Sequence, residues 1–191
     1  MEKGRLTAFS DGVIAIIITI MVLELKVPHE DNLAALRPLI PVFLSYILSF
    51  IYLGIYWNNH HHLFQAAQYV NGRVLWANLH LLFWLSLIPF VTTWMGENYF
   101  TAVPVAFYGG VLLLTAIAYS ILTVILIAHH GKDSTIATVI GRDFKGKVSL
   151  AIYAIAIPLA FANSWLALSL YVLVAIIWLI PDRRIERAMN R

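Results

Sequence analysis

The chain has 191 residues, 61% of them hydrophobic and only 12% charged, with a formal net charge of +3 and a mean hydropathy of +0.80. A soluble domain carries about twice that charged fraction, and a water-soluble fold of this size could not hide so much apolar surface in one core, so composition excludes an ordinary soluble protein. The absence of cysteine excludes disulfides, thiolate zinc sites, iron–sulfur clusters and thiol nucleophiles, and the basic residues, which flank apolar segments, read as topology signals rather than as a nucleic-acid surface.

A membrane-crossing helix needs roughly 20 mostly apolar residues. Six segments qualify, near 7–27, 39–60, 74–95, 104–128, 147–163 and 165–181. The first is not a cleaved signal peptide: it contains Asp11 and Glu24 and ends at Pro28 without an Ala-x-Ala site. The second follows Pro38 and carries Pro41 in its first turn, where a missing N–H costs little. Pro89, with Ser86 before it, predicts a kink in the third. The fourth starts at Pro104 and stops at His129, His130 and Gly131.

Only Asn163 and Ser164 separate the fifth and sixth segments, so one bent helix is an alternative to two. Charge bias decides for two. With six spans and the N-terminus inside, the inner segments carry Lys3, Arg5, Arg73, Lys132, Arg142, Lys145, Lys147, Arg183, Arg184, Arg187 and Arg191, and the outer ones only Lys26 and Arg37. Eleven against two fits the positive-inside rule with both ends cytoplasmic. The expected fold is therefore all-α, one polytopic membrane domain over residues 1–191. The longest loop, about 129–146, holds Lys132, Asp133, Arg142 and Asp143 and reads as a cytoplasmic connector.

The first helix is the richest in signals. Asp11 is costly in a membrane helix unless paired or near water. It reads either as an interfacial Asp with Ser10 as a cap or as part of a buried polar knot. Ile16, Ile20 and Leu23 fall at i, i+4 and i+7 and share one face over roughly 10 Å of helix rise. In one subunit that stripe would face lipid or neighbours; around a symmetry axis it would form a narrow apolar ring that gates by excluding water.

On the second helix, Trp57-Asn58-Asn59-His60-His61-His62 lies at the depth of Ser10 and Asp11. Consecutive histidines point around a helix, so they do not form a facial metal site. Hydrogen bonding by Asn58, Asn59 and one histidine to Ser10 and Asp11 is the better reading, and no metal is expected. On the third helix Trp76 is an interfacial aromatic, Asn78 and His80 should face protein, and Arg73 competes with Arg5 for Asp11. Trp94, Tyr99 and Phe100 read as an outer aromatic belt. Nucleotide-binding loops, zinc-protease and hydrolase motifs, a Thr-Val-Gly-Tyr-Gly filter and an Arg-rich voltage sensor are all missing.

The run Arg5-x-x-x-Phe9-Ser10-Asp11-Gly12, followed by an apolar helix with Thr19 and a Leu23-Glu24 end, resembles the signature of the transmembrane protein 175 potassium channels, the endosomal and lysosomal potassium channels of animals and their bacterial relatives. The segments 57–64 and 73–89 are similar to that family as well. The resemblance implies a single-repeat bacterial member in the inner membrane, not an enzyme, assembled as a homotetramer with first helices around a central pore. It implies a constriction at Ile16, Ile20 and Leu23, potassium preference at Thr19 and Ile16, and a polar network on Arg5, Phe9, Ser10 and Asp11 with partners among Trp57, Asn58, His60, His61 and His80. No cofactor is implied; K+ and other monovalent cations would be the permeant species, and lipid the surroundings. The function expected is a potassium-preferring leak channel with a hydrophobic gate. The rival reading is a proton-coupled transporter using Asp11 and a histidine.

Overall fold

The computed structural model describes residues 3–131, 137 and 143–179. Lys132, Asp133, Arg142, Pro181 and the basic tail residues Arg183, Arg184, Arg187 and Arg191 lie outside the described residues, so the charge bias rests on sequence there.

Among the described residues, seven α-helices make up six passes. Helix α1 is Gly4–Leu23. A 3-10 turn, Leu33–Leu39, leads into α2, Ile40–Ala66. Helices α3, Gly72–Ser86, and α4, Ile88–Glu97, form one broken pass. Helix α5 is Ala102–His130, α6 is Phe144–Ala162 and α7 is Ser164–Leu179. Five passes are long and apolar enough to cross a membrane, and α7 is apolar but shorter within the described residues.

Local chemistry sets the boundaries. Asn71 opens α3, its side chain accepting from Val74 N at 3.0 Å. Asp143 opens α6 by accepting from Gly146 N at 2.9 Å. The predicted kink is a break at Leu87, where Pro89 removes a backbone donor and sits in the first turn of α4. Asn163 is extended, with φ −157° and ψ 106°, and caps α7 by accepting from Trp165 N and Leu166 N. The fifth and sixth segments are therefore two helices, which fold back on each other. Helix α2 runs six residues past the predicted 60, because nothing before Ala67 breaks it; the polar run 57–62 lies inside the helix.

Helix α1 packs against α2, α3 and α4, whereas α5, α6 and α7 form the other side of the bundle. A Cβ would clash at two glycines: one on Gly96 would sit 2.6 Å from Val42 Cα, where two backbones approach, and one on Gly109 would sit 1.9 Å from the Tyr171 hydroxyl. The turn between α4 and α5 places Tyr99 and Phe100 at φ 51° and 59°. Tyr99 is exposed, but Phe100 is buried and packs on Trp165 at 5.3 Å, so it belongs to the core rather than to an aromatic belt.

Candidate functional site

The site is built on the two faces of α1. Its inner face carries Leu6, Ser10, Ile14, Ile17 and Met21, spaced four, four, three and four residues apart, all buried. Ser10 is the polar member of that face. It lies fully buried at a helix-packing surface, where an unpaired hydroxyl would cost about 1–3 kcal/mol.

Its partner is Asn78 on α3, whose amide nitrogen donates to Ser10 Oγ at 2.9 Å. Ser10 in turn donates to Leu6 O at 2.9 Å. With its nitrogen committed, Asn78 offers Oδ1 to His60 Nε2 on α2 at 2.8 Å. An acceptor there requires a donor opposite, so the network assigns the proton of His60 to Nε2. The result is a directed chain, His60 to Asn78 to Ser10 to Leu6 O, a clamp that ties three helices together. All three side chains are buried. A second tie lies nearer the surface, where Trp57 Nε1 donates to Asp11 Oδ1 at 3.0 Å. Lys3 closes this end of α1, donating to Gln65 O at 3.1 Å and to Ala67 O.

Of the residues expected in this network, Ser10, Asp11, Trp57 and His60 are brought together. Others sit elsewhere. Arg5 is exposed, and among the described residues Lys26–Glu97 is the ion pair present. Asn58 is exposed, and Phe9 faces outward. His61 is exposed with its ring 6.0 Å from Trp57. His80 accepts from Trp84 Nε1 of its own helix at 2.9 Å. Asn78, named only as facing protein, is the central link. Periodicity marks it: Val74, Asn78, Leu81 and Leu85 share the buried stripe of α3, and His80 falls off it.

The opposite side of α1 is apolar and open. Ile16, Ile20 and Leu23 are 58%, 41% and 78% exposed. Ile16 and Ile20 border a groove of about 680 Å³ whose far wall is Pro89, Phe90, Thr93 and Trp94 of α4. Thr19 donates its hydroxyl proton to Ile16 O at 2.9 Å, which leaves the oxygen lone pairs facing outward on an exposed residue. Among the described residues no group of three His, Cys, Asp or Glu could hold a metal ion.

A family model for the endosomal/lysosomal potassium channel TMEM175 matches residues 5–89, the stretch that contains the clamp and the apolar stripe. A potassium channel of Chryseobacterium sp. (strain P1-3) is 56% identical over 190 residues, covering 100% of this chain and 99% of its own. The chain belongs to the TMEM175 family. A Streptomyces collinus potassium channel is 31% identical over 186 residues, covering 92% of this chain and 90% of its own. The crystal structure of a lysosomal potassium-selective TMEM175 homolog from Chamaesiphon minutus superposes with a TM-score of 0.81 at 29% identity, covering 93% of this chain and 96% of that one. This TMEM175 chain is thus a multi-pass membrane protein of a potassium channel family, and not an enzyme.

Proposed function

We propose that this chain forms, as a homotetramer in the bacterial inner membrane with both termini cytoplasmic, a potassium-preferring cation channel. Residues 1–191 act as one channel domain, and four copies of α1 surround the axis. Ile16, Ile20 and Leu23 narrow the pore, and ions pass when that ring widens or wets. The oxygen of Thr19 and the carbonyls beside Ile16 supply the preference for K+, which stays modest because an apolar ring offers no dense cage of oxygens.

The observation that carries this reading is the contrast between the two faces of α1. One is pinned by the polar chain through His60, Asn78 and Ser10, and the other presents an exposed apolar stripe in the single chain. Beside the stripe lie Ala8, Gly12, Ala15 and Thr19, all small and exposed. In lipid, small residues let helices approach closely, which favours α1 meeting its own copies. The names of the relatives supply the ion, since the Chryseobacterium and Streptomyces proteins are named potassium channels.

The transporter reading needs Asp11 and a histidine in contact. Asp11 instead meets Trp57, and His60 meets Asn78. Vertebrate relatives, such as the mouse protein 38% identical over 101 residues, are named proton channels, so proton flux belongs in the same assay.

The chain has no native cysteine, which makes the axis testable directly. A single Leu23→Cys substitution should give disulfide-linked dimers under oxidation, and Leu173→Cys on α7 should not. Liposomes holding the purified protein should show a reversal potential displaced toward the K+ equilibrium value in a K+/Na+ gradient. No displacement would remove the selectivity, and no cross-link at Leu23 would remove α1 from the axis.

A further inference from the structure

We infer that His129 and His130, at the end of α5, form an acid-releasable latch on the connection between α2 and α3. Neither residue belongs to the clamp or to the apolar stripe, and the latch rests on the channel reading only for its effect on ion flux.

The hydrogen bonds fix the protons. His130 Nδ1 faces Leu126 O at 2.9 Å; a carbonyl only accepts, so Nδ1 carries the hydrogen. Nε2 of the neutral ring is then a bare acceptor. Two backbone donors address it, Gln68 N at 3.1 Å and Tyr69 N at 3.5 Å. His129 is held by the same logic. Asn71 Oδ1 accepts from Val74 N at 3.0 Å, so its amide nitrogen is the donor to His129 Nδ1 at 3.1 Å. Both imidazoles therefore receive hydrogen bonds through a ring nitrogen that must be unprotonated. Tyr69 stacks on His130 at 4.7 Å and meets His129 edge-on at 5.0 Å, filling the space between them.

A proton on either accepting nitrogen places N–H against N–H. The His130 bond to Leu126 O survives, because Nδ1–H is a donor in both states, and an imidazolium at a helix C-terminus is favoured by the dipole. Only the grip on residues 68, 69 and 71 fails. Protonation of either accepting nitrogen breaks its contact, so the latch is present at high pH and lost on acidification. Among the described residues, the titratable and charged groups at this end are Tyr69 on the connection, Lys3 just before α1, His61 and His62 near the end of α2, Arg73 at the start of α3, and Asp143, Lys145 and Lys147 at the start of α6.

Lys3 gives the latch its reach. It donates to the carbonyls of Gln65 and Ala67, so one short stretch holds the start of α1 by its carbonyls and the end of α5 by its amides. Release of the amides loosens the seat of α1.

The test uses the full chain in liposomes at about pH 8 and about pH 5.5, the range over which histidine titrates. Hydrogen–deuterium exchange over 67–71, corrected for the intrinsic pH effect, should show protection falling about tenfold on acidification. The double substitution His129→Gln and His130→Gln should keep its protection at both pH values, since a carboxamide oxygen accepts regardless of pH. His130→Phe, which keeps the ring on Tyr69 but cannot accept, should already be unprotected at 68 and 69 at the higher pH. His29→Gln, in the outer loop, should respond like the unaltered chain. Potassium flux in the same liposomes should change about threefold with pH in the unaltered chain and less in the Gln pair. Equal loss of protection in the unaltered chain and the Gln pair overturns the latch, even where flux at the higher pH supports the channel. Loss of protection confined to the unaltered chain, with no flux at either pH, supports the latch and overturns the channel reading.

Discussion

Two buried polar systems run through this bundle, and they solve the same problem in different ways. Around α1 the polar atoms belong to Ser10, Asn78 and His60, three side chains of three types linked end to end. Between α2 and helices α4 to α7 they are hydroxyls. Tyr108 and Thr92 both meet Ser49, at 2.9 and 2.6 Å, and Thr92 donates to Ile88 O at 2.6 Å. Thr92 has one proton and gives it to the carbonyl, so Ser49 donates to Thr92 and Tyr108 donates to Ser49. Nearby, Tyr153 donates to Tyr52, Tyr52 to Tyr171 O, and Tyr171 to Val105 O. Every hydroxyl chain ends on a main-chain carbonyl, and four of its members are large aromatic rings that also fill the core. The clamp carries little packing volume. The hydroxyl system is thus a scaffold fixed by large rings and hydrogen bonds together, whereas α1 is held by its apolar inner face and a polar chain of smaller side chains, and has one face exposed.

That contrast can be broken at its packed end first. Gly109→Ala would place a methyl 1.9 Å from the hydroxyl of Tyr171, a fully buried ring that would have to shift. The expected loss is about 3 kcal/mol of stability, read as a lowered unfolding midpoint in detergent. Protein that still inserts should keep its K+/Na+ reversal potential, because the change is far from α1. Asn78→Leu attacks the other system. It strands a donor on His60 and removes the donor to Ser10, at a cost of about 2 kcal/mol. The smaller loss of stability should come with the larger change in flux. If the reversal potential shifts more in the Gly109 variant than in the Asn78 variant, the division of roles is wrong.

The passes and the break before Pro89 were legible from apolar length and a missing backbone donor, whereas the fifth and sixth segments were divided by charge bias and the cap at Asp143, inside the expected loop 129–146, was not read. The apolar stripe of α1 was legible from spacing alone. The partners of Ser10 were not. Choosing among His60, His61 and His80 requires the rotation of α2 and α3 about their own axes, and that is set by packing on α1 and α5. The burial period of α3 did contain part of the answer, since it passes through Asn78 and misses His80. The tyrosine scaffold went unread because tyrosine in a membrane helix is ordinarily taken as an interfacial anchor. Tyr52, Tyr153 and Tyr171 sit mid-helix, too deep for that role, and their depth was the available sign.

A milder cut sharpens the comparison within the scaffold. Tyr108→Phe keeps the ring and removes one donor. Ser49 still donates to Thr92, and Thr92 still donates to Ile88 O, so no buried hydrogen is left without an acceptor. The expected cost is about 1 kcal/mol, less than the Asn78 change, which does strand a donor. A larger loss for Tyr108→Phe than for Asn78→Leu would show that the hydroxyl chain, not ring packing, holds the scaffold.

The smallest effect belongs to the segment after α1, where Lys26 meets Glu97 at the end of α4 through charge. Lys26 Nζ lies 2.7 Å from Glu97 Oε1, with the side chains 77% and 44% exposed. The hydrogen bond to Glu97 and the charge of Glu97 raise the Lys26 ammonium above its ordinary range. A raised value means that the pairing is fully present below that range and is lost as pH rises through the shifted value, so it persists throughout neutral conditions. Exposure screens it: an exposed pair in water is weak and weakens further with salt. Glu97→Gln should therefore move the unfolding midpoint by no more than about 1 °C at moderate salt. Glu97 also lines the groove beside Ile16 and Ile20, so a loss comparable to the Asn78 change would mean that α1 is held from its outer end and that the buried clamp is secondary.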